Sequence, residues 1–299
     1  MDAGPGTAGK SGIPRIASRW KRCGTVVQGV ARVHSIISRR GLFAFLAVLL
    51  AAAIFAAWRS RVSSKEELLL LCGAGLRPAV SELAELFTAQ SGVSVRVDYN
   101  AGSLLLGRIR VGADGDLFMP GDEYYIRLAE KDGLVRESRT AAVLVPVILV
   151  APGNPKQIRT LSDLARDGVR LGLADERTAA IGRIAVQLME KNAVPRDAVM
   201  RNLVFESVTV PELGAAVALE HIDAAIVWAP TAAGFANTEA VPIPPNENIL
   251  ANAPIAVLNS SKHLSSARAF CELVLSEPGQ AVLRKHGYET PLKEKEPKP

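Results

Sequence analysis

Residues Gly4 to Ser11, GPGTAGKS, satisfy the phosphate-binding pattern G-x-x-x-x-G-K-[ST] letter for letter. Such a loop works when it joins a buried strand to a helix, so that unpaired N–H groups at the helix start point at the phosphates. Only Met1, Asp2 and Ala3 precede Gly4, too few for a strand, and Pro14 interrupts any helix opening at Ser11. The match is therefore expected to be an accident of a Gly-rich tail. Other catalytic sets are scarce: no G-x-S-x-G elbow, H-E-x-x-H helix or C-x-x-C pair occurs. His221, His263 and His286 fall near expected helix ends, and His34 lies in the basic leader. The pair Tyr124-Tyr125 could supply phenolates to ferric iron, but on the charged stretch DEYYIRLAEKDG packing of one helix face is the expectation. Asp116 and Asp122 in GDLFMPGD are expected to serve a turn and a helix cap rather than a metal. No catalytic residue, resident metal or cofactor is expected, and the chain does not read as an enzyme.

Anion cradling recurs in a better context further on. Four expected strand-to-helix turns are built from small or backbone-exposing residues: Gly73-Ala74-Gly75, Ala101-Gly102-Ser103, Thr178-Ala179-Ala180 and Ser207-Val208-Thr209. Each would present free N–H groups and the positive end of a helix dipole. In parallel sheets such turns gather at the carboxyl edges of the strands, where ligands bind. Ordinary connections also favour Gly and Ser, so a single turn means little; two pairs facing each other would make a cleft. Arg77, a cation at a helix start, opposes the dipole unless an anion lies nearby, and simple solvent exposure explains it as well.

These turns need elements to position them. LLLLC (Leu68–Cys72), VSVRVDY (Val93–Tyr99), VRLGLAD (Val169–Asp175), LVFES (Leu203–Ser207) and DAAIVW (Asp223–Trp228) are apolar runs that read as strands. Helical patterns follow four of them: from Pro78 with Val80, Leu83, Ala84 and Phe87 on one face, then LLLGRIRV, IGRIAVQLMEKN and PELGAAVALEH. Alternation of strand and helix implies an α/β fold with largely parallel sheets. AAVLVPVILVAP (Ala141–Pro152) is too long for one ordinary strand and suits a passage between two lobes; Val241–Asn259 could cross back. One lobe is expected over residues 67–143 plus 248–290, the other over 144–247, and the charged residues 291–299 as a disordered tail. Helices are also expected over Ser265–Leu275 and Pro278–His286.

Of the 299 residues, 48% are hydrophobic, and 35 Lys and Arg against 30 Asp and Glu leave a formal charge of +5. The excess is local. Residues 1–40 hold eight basic residues against Asp2 alone, a charge of +7, so the remainder carries −2, which argues against a nucleic-acid partner. Gly41 to Trp58 is uncharged and apolar throughout, followed by Arg59 and Arg61 and a polar linker to residue 66. It is expected to be a single-pass transmembrane anchor, with residues 1–40 cytoplasmic and the C-terminal part exported. A cleaved signal peptide is the rival, because Ala51-Ala52-Ala53 offers a small-residue site. Cys23, Cys72 and Cys271 form no disulfide or zinc pattern; Cys72 and Cys271 could pair only if the fold brought them together.

Taken in order, CGAGLRPAVSELAELFTAQSGVSVRVDYNAGSLLLGRI, GDLFMPGD, YIRLAEKDGLV, VILVAPGNP, LADERTAAIGRIA and DAAIVW resemble the molybdate-binding solute receptors of ABC importers, which are type II periplasmic binding proteins. The resemblance covers roughly residues 68–290. It implies two α/β lobes joined by hinge strands, closing on a tetrahedral oxoanion held by neutral hydrogen bonds, with an ABC permease and ATPase as partners. The family's ligand positions fall on Gly75, beside Ala74; on Gly102, with Ser103 adjacent; on Ile181, beside Ala180; on Val210, beside Thr209; and on Trp228, where the family has tyrosine. Main-chain donors survive at every position, whereas two serine hydroxyls are lost at Gly75 and Gly102; Ser103, Thr178 or Thr209 could compensate. Restoring serine at both glycines is expected to strengthen oxoanion binding. The alternative is a membrane-tethered sensor or scaffold that keeps the binding fold without transport.

If residues 41–58 are a retained anchor, the full-length protein stays in the membrane fraction after carbonate washing, at nearly full mass. Soluble protein beginning shortly after Ala53 would show cleavage instead.

Overall fold

The computed structural model describes residues 66–291. The leader with Lys10, the apolar stretch 41–58, the linker residues 59–65 and the tail residues 292–299 lie outside them. Among the described residues no helix is long and apolar enough to cross a membrane.

The chain first runs through β1 (Glu67–Gly73), α1 (Arg77–Ser91), β2 (Ser94–Asn100), α2 (Gly102–Arg110), β3 (Leu117–Met119), α3 (Glu123–Lys131) and β4 (Val135–Leu144). It continues through β5 (Pro146–Val150), β6 (Leu171–Ala174), α4 (Ala180–Lys191), α5 (Arg196–Arg201), β7 (Leu203–Ser207) and α6 (Val210–Ala218). Last come β8 (Ala224–Trp228), α7 (Ala229–Ala233), β9 (Glu239–Pro242), β10 (Ala251–Leu258), α8 (Leu264–Leu275) and α9 (Glu277–Lys285).

Two five-stranded sheets result, in the orders β2-β1-β3-β10-β4 and β7-β6-β8-β5-β9. Leu68 to Gly73 of β1 are all buried, as are all five residues of β5 and of β8. Helices on both faces leave such central strands no solvent side, which is why they read as unbroken apolar runs. The expectation of largely parallel sheets needs correction: each sheet is mixed. β1 pairs in parallel with β2 and β3, while β10 runs antiparallel between β3 and β4. In the second sheet β6 is parallel to β7 and β8, and β5 is antiparallel to β8 and β9. The antiparallel strands are those that carry the chain between sheets. The apolar run 141–152 divides at Val145, giving the end of β4 to the first sheet and β5 to the second. The return passes from β9 to β10, and Asn248 within it donates its side-chain N–H to the carbonyl of Pro146 at 3.0 Å.

Local chemistry accounts for the helices. α1 opens with Pro78 in its first turn, where no intrahelical donor is needed, and ends on Gly92 at φ 76°. It buries Val80, Leu83, Ala84 and Phe87, and the Phe87 ring meets Phe270 of α8 edge to face at 5.3 Å. α4 presses its first turn against the end of β6. A Cβ on Gly182 would collide with the carbonyl oxygen of Ala174 and lie 2.7 Å from the carbonyl carbon of Asp175. Among the elements without a sequence reading, β3 is only three residues long, and α5 and α7 are too short to show periodicity. Cys72 on β1 and Cys271 on α8 are both buried and free, so they do not pair.

Gly182→Ala is expected to destabilise by about 1–3 kcal/mol, because backbone on both sides must shift. Urea unfolding of the variant beside the parent measures it.

Candidate functional site

Four strands, β1, β2, β6 and β7, end in the four small-residue turns, and the helices that follow start beside one another. Together with Gly121 after β3 and Trp228 at the end of β8, they line a cavity of about 30 Å³. At roughly 10–15 Å³ for one water, this is room for an ion or a few small atoms, not for a sugar or a peptide. Ala74, Gly75, Gly102, Ala180, Ile181, Thr209, Val210 and Trp228 all line it.

The donors are main-chain groups. Each helix leaves its first N–H groups without an intrahelical acceptor. The N–H groups of Gly75, Gly102, Ala180, Ile181 and Val210 donate to no main-chain acceptor among the described residues. Neighbouring amides are consumed: Ala101 donates to the side chain of Asn100 at 2.9 Å, Ala179 to Asp175 at 2.9 Å, and Thr209 to the Ser207 hydroxyl at 3.1 Å. Thr209 stands at the N-cap of α6 without a capping hydrogen bond, so its hydroxyl is available. Among the described residues no charged side chain lines the cavity. Its positive potential comes from the starts of α2, α4 and α6, each equivalent to about half a unit charge, while Gly75 contributes from a tight turn that precedes α1.

Behind the first turn, Tyr288 donates its hydroxyl to the carbonyl of Gly75 at 2.6 Å. Burial pushes the Tyr288 phenol far up, so the proton stays on oxygen and that carbonyl stays engaged. Arg77 plays no part at the cavity: its guanidinium lies over the Tyr99 ring at 4.1 Å.

Ser103 is the exception among the anticipated residues. It does not line the cavity; its N–H donates to the carbonyl of Thr178 at 3.3 Å, and its buried Oγ has no partner among the described residues. Thr178 turns its carbonyl toward α2 and α3 and its hydroxyl back to the Asp175 carbonyl at 3.4 Å.

The two glycines are explained by aromatic rings. A Cβ on Gly75 would lie 2.9 Å from Cδ1 and 3.3 Å from Nε1 of Trp228, and one on Gly102 would lie 2.5 Å from Cδ2 of Tyr125. Trp228, 2% exposed, therefore both packs in the core and closes one side of the cavity. Serine cannot simply be restored at either position, which corrects the expectation that it would strengthen binding: the rings occupy the space its side chain requires.

Tyr125 and Asp122 also depart from expectation. Tyr125 is buried but polar in role, donating its hydroxyl to the Thr178 carbonyl at 2.8 Å; burial raises its pKa to about 12, keeping it a donor. Asp122 occupies the N-cap of α3 without capping it and instead pairs with Arg183 of α4. Asp116, expected in a turn role, instead ties distant segments together, accepting from the Leu69 N–H at 2.9 Å and the Ser261 hydroxyl at 2.7 Å.

A family model described as bacterial extracellular solute-binding protein matches residues 68–289, both sheets and the whole cavity. The chain belongs to that family. Within it, the chain is 26% identical over 227 residues to the molybdate-binding protein ModA of Mycobacterium bovis, covering 75% of this chain and 85% of that one. The fold matches the periplasmic molybdate-binding protein of Azotobacter vinelandii at a TM-score of 0.65 and 18% identity, over 75% of this chain and all of that one. It matches the sulfate-binding protein SubI of Mycobacterium tuberculosis at a TM-score of 0.69 and 21% identity, over 75% and 87%.

For this solute-binding protein, Gly75→Ser is expected to cost about 1–3 kcal/mol through the clash with Trp228. Combining it with Trp228→Phe should cost less than the two changes summed, since the smaller ring makes room; thermal unfolding of the three variants measures the coupling.

Proposed function

We propose that this protein captures a small, fully ionised oxoanion, molybdate or a close tetrahedral relative, in the cavity between its lobes and delivers it to an ABC importer. The observation that carries this reading is the gathering of main-chain N–H groups without main-chain acceptors, from the tight turn at Gly75 and the first residues of α2, α4 and α6, around a cavity lined by no charged side chain among the described residues. A dianion accepts from every direction and donates to none. Main-chain N–H groups and helix dipoles balance its charge without placing a lysine or arginine against it, so the anion is held but can be released. The sequence likeness to molybdate-binding proteins supports the same ligand class. In this reading residues 67–143 plus 248–290 form one lobe and 144–247 the other, they part about the two crossings, and residues 41–58 tether them on the exported face of the membrane.

Anions that carry a proton on oxygen fit poorly. Phosphate at neutral pH has an O–H that needs an acceptor, and no carboxylate lines the cavity. Leaving that donor unpaired costs about 1–3 kcal/mol, roughly a five- to 150-fold loss in affinity. Calorimetry with the full chain should show molybdate, tungstate or sulfate binding, and phosphate weaker by about that factor. Phosphate bound as tightly as the best dianion would contradict the donor-only site, and no binding of any of the four at millimolar concentration would sink oxoanion capture.

A further inference from the structure

The rim of the cavity carries a charge pair that the capture of an anion does not use. Arg183 lies on α4, one turn after Ala180 and Ile181, and its guanidinium reaches across the seam to the carboxylate of Asp122 in the first lobe. Both side chains are withdrawn from solvent, Arg183 to 21% and Asp122 to 8% exposure. The guanidinium also lies 4.1 Å from the ring centre of Tyr124 and 5.4 Å from that of Tyr125, both on α3. Directly beside the pair, a Cβ on Gly121 would stand 3.3 Å from Cβ of Ala180, so here the two walls touch. The Thr178 carbonyl of the second lobe accepts from both the Tyr125 hydroxyl and the Ser103 N–H of the first. Neither Asp122 Oδ1 nor Arg183 Nη2 has a hydrogen-bond partner among the described residues, so the two buried charges have chiefly each other to balance them.

We propose that Asp122 and Arg183, stacked on Tyr124 and Tyr125, form a cross-lobe latch that sets how readily the cavity opens. This deepens the reading above, because it assumes that the lobes part and close around the cavity. Both charges are hydrated when the lobes separate and buried together when they meet. Removing one partner therefore penalises the closed state alone, by stranding the other charge. Removing both charges strands neither, so the double variant closes again. The arginine is suited to the task because its planar group ion-pairs with a carboxylate while its face stacks on aromatic rings.

The Ser103 amide, bonded across the seam, reports closure without any ligand, and the Leu105 amide, bonded to Ala101 within the first lobe at 3.1 Å, is the internal control. Hydrogen exchange resolved to single amides, on the unliganded full chain, compares the parent with Arg183→Met, Asp122→Asn and the double variant. Each single change is expected to speed exchange at Ser103 by about tenfold or more, with Leu105 unchanged, and the double variant to return within about threefold of the parent. Should Arg183→Met fail to fold, Arg183→Lys carries the test, since it keeps the charge but loses the planar stack; a few-fold acceleration at Ser103 alone is then expected. Unchanged exchange in the single variants, additive acceleration in the double, or a parent Ser103 amide as fast as an exposed one overturns the latch. No ligand is added, so failure of oxoanion binding in calorimetry would not alter these outcomes.

Discussion

A buried main-chain N–H must find an acceptor, and around this cavity those of Gly75, Gly102, Ala180, Ile181 and Val210 find none on the main chain among the described residues. Each unpaired group costs on the order of 1–3 kcal/mol if it stays dry. The rest of the molecule can be understood as the means of assembling that unsatisfied set. Four strands end at the same place, three helices and a tight turn begin there, and the residues between are small enough to let backbone approach backbone. Carbonyl oxygens, which would repel an anion, are turned away: that of Gly75 is held by Tyr288 and that of Thr178 by Tyr125 and Ser103.

Glycine at positions 75 and 102 acquires its meaning from the opposite wall. In the sequence each looked like a lost serine, and its cost seemed to be one hydrogen bond. In three dimensions each is the space that an aromatic ring needs, Trp228 in one case and Tyr125 in the other. The pairing joins residues 153 and 23 positions apart, a distance over which a single sequence offers no local signal.

The same limit separates what was readable from what was not. The strands β1, β2, β6, β7 and β8, the helices α1, α2, α4 and α6 and the four turns were legible because burial on both faces leaves unbroken apolar runs and helices leave a periodic stripe. The apolar run 141–152 was legible as a passage because its length exceeds one strand. Eight of nine anticipated binding residues line the cavity for this reason. The short β3 was not readable, and with it went Gly121 at the cavity rim. Nor was the Asp122–Arg183 pair, whose partners follow strands of different sheets; the tyrosine pair beside Asp122 looked like plain packing. The shared wiring of the two sheets, in which three consecutive strands take the order second-first-third, left no repeat in the sequence because topology constrains polarity patterns and not residue identities.

That wiring has a kinetic side. The second sheet is drawn from one unbroken stretch, β5 to β9, and can be completed as soon as residue 242 is available. The first cannot. Its fourth strand in space, β10, is supplied after the entire second sheet and must be inserted between β3 and β4, which have no direct pairing with each other. Until Leu258 arrives, both strands present open edges, and closing the loop between them is slow and exposed to aggregation. A nascent chain of this kind gains from being kept unfolded until its C-terminal third has been made, which is the condition in which an unfolded polypeptide is passed across a membrane.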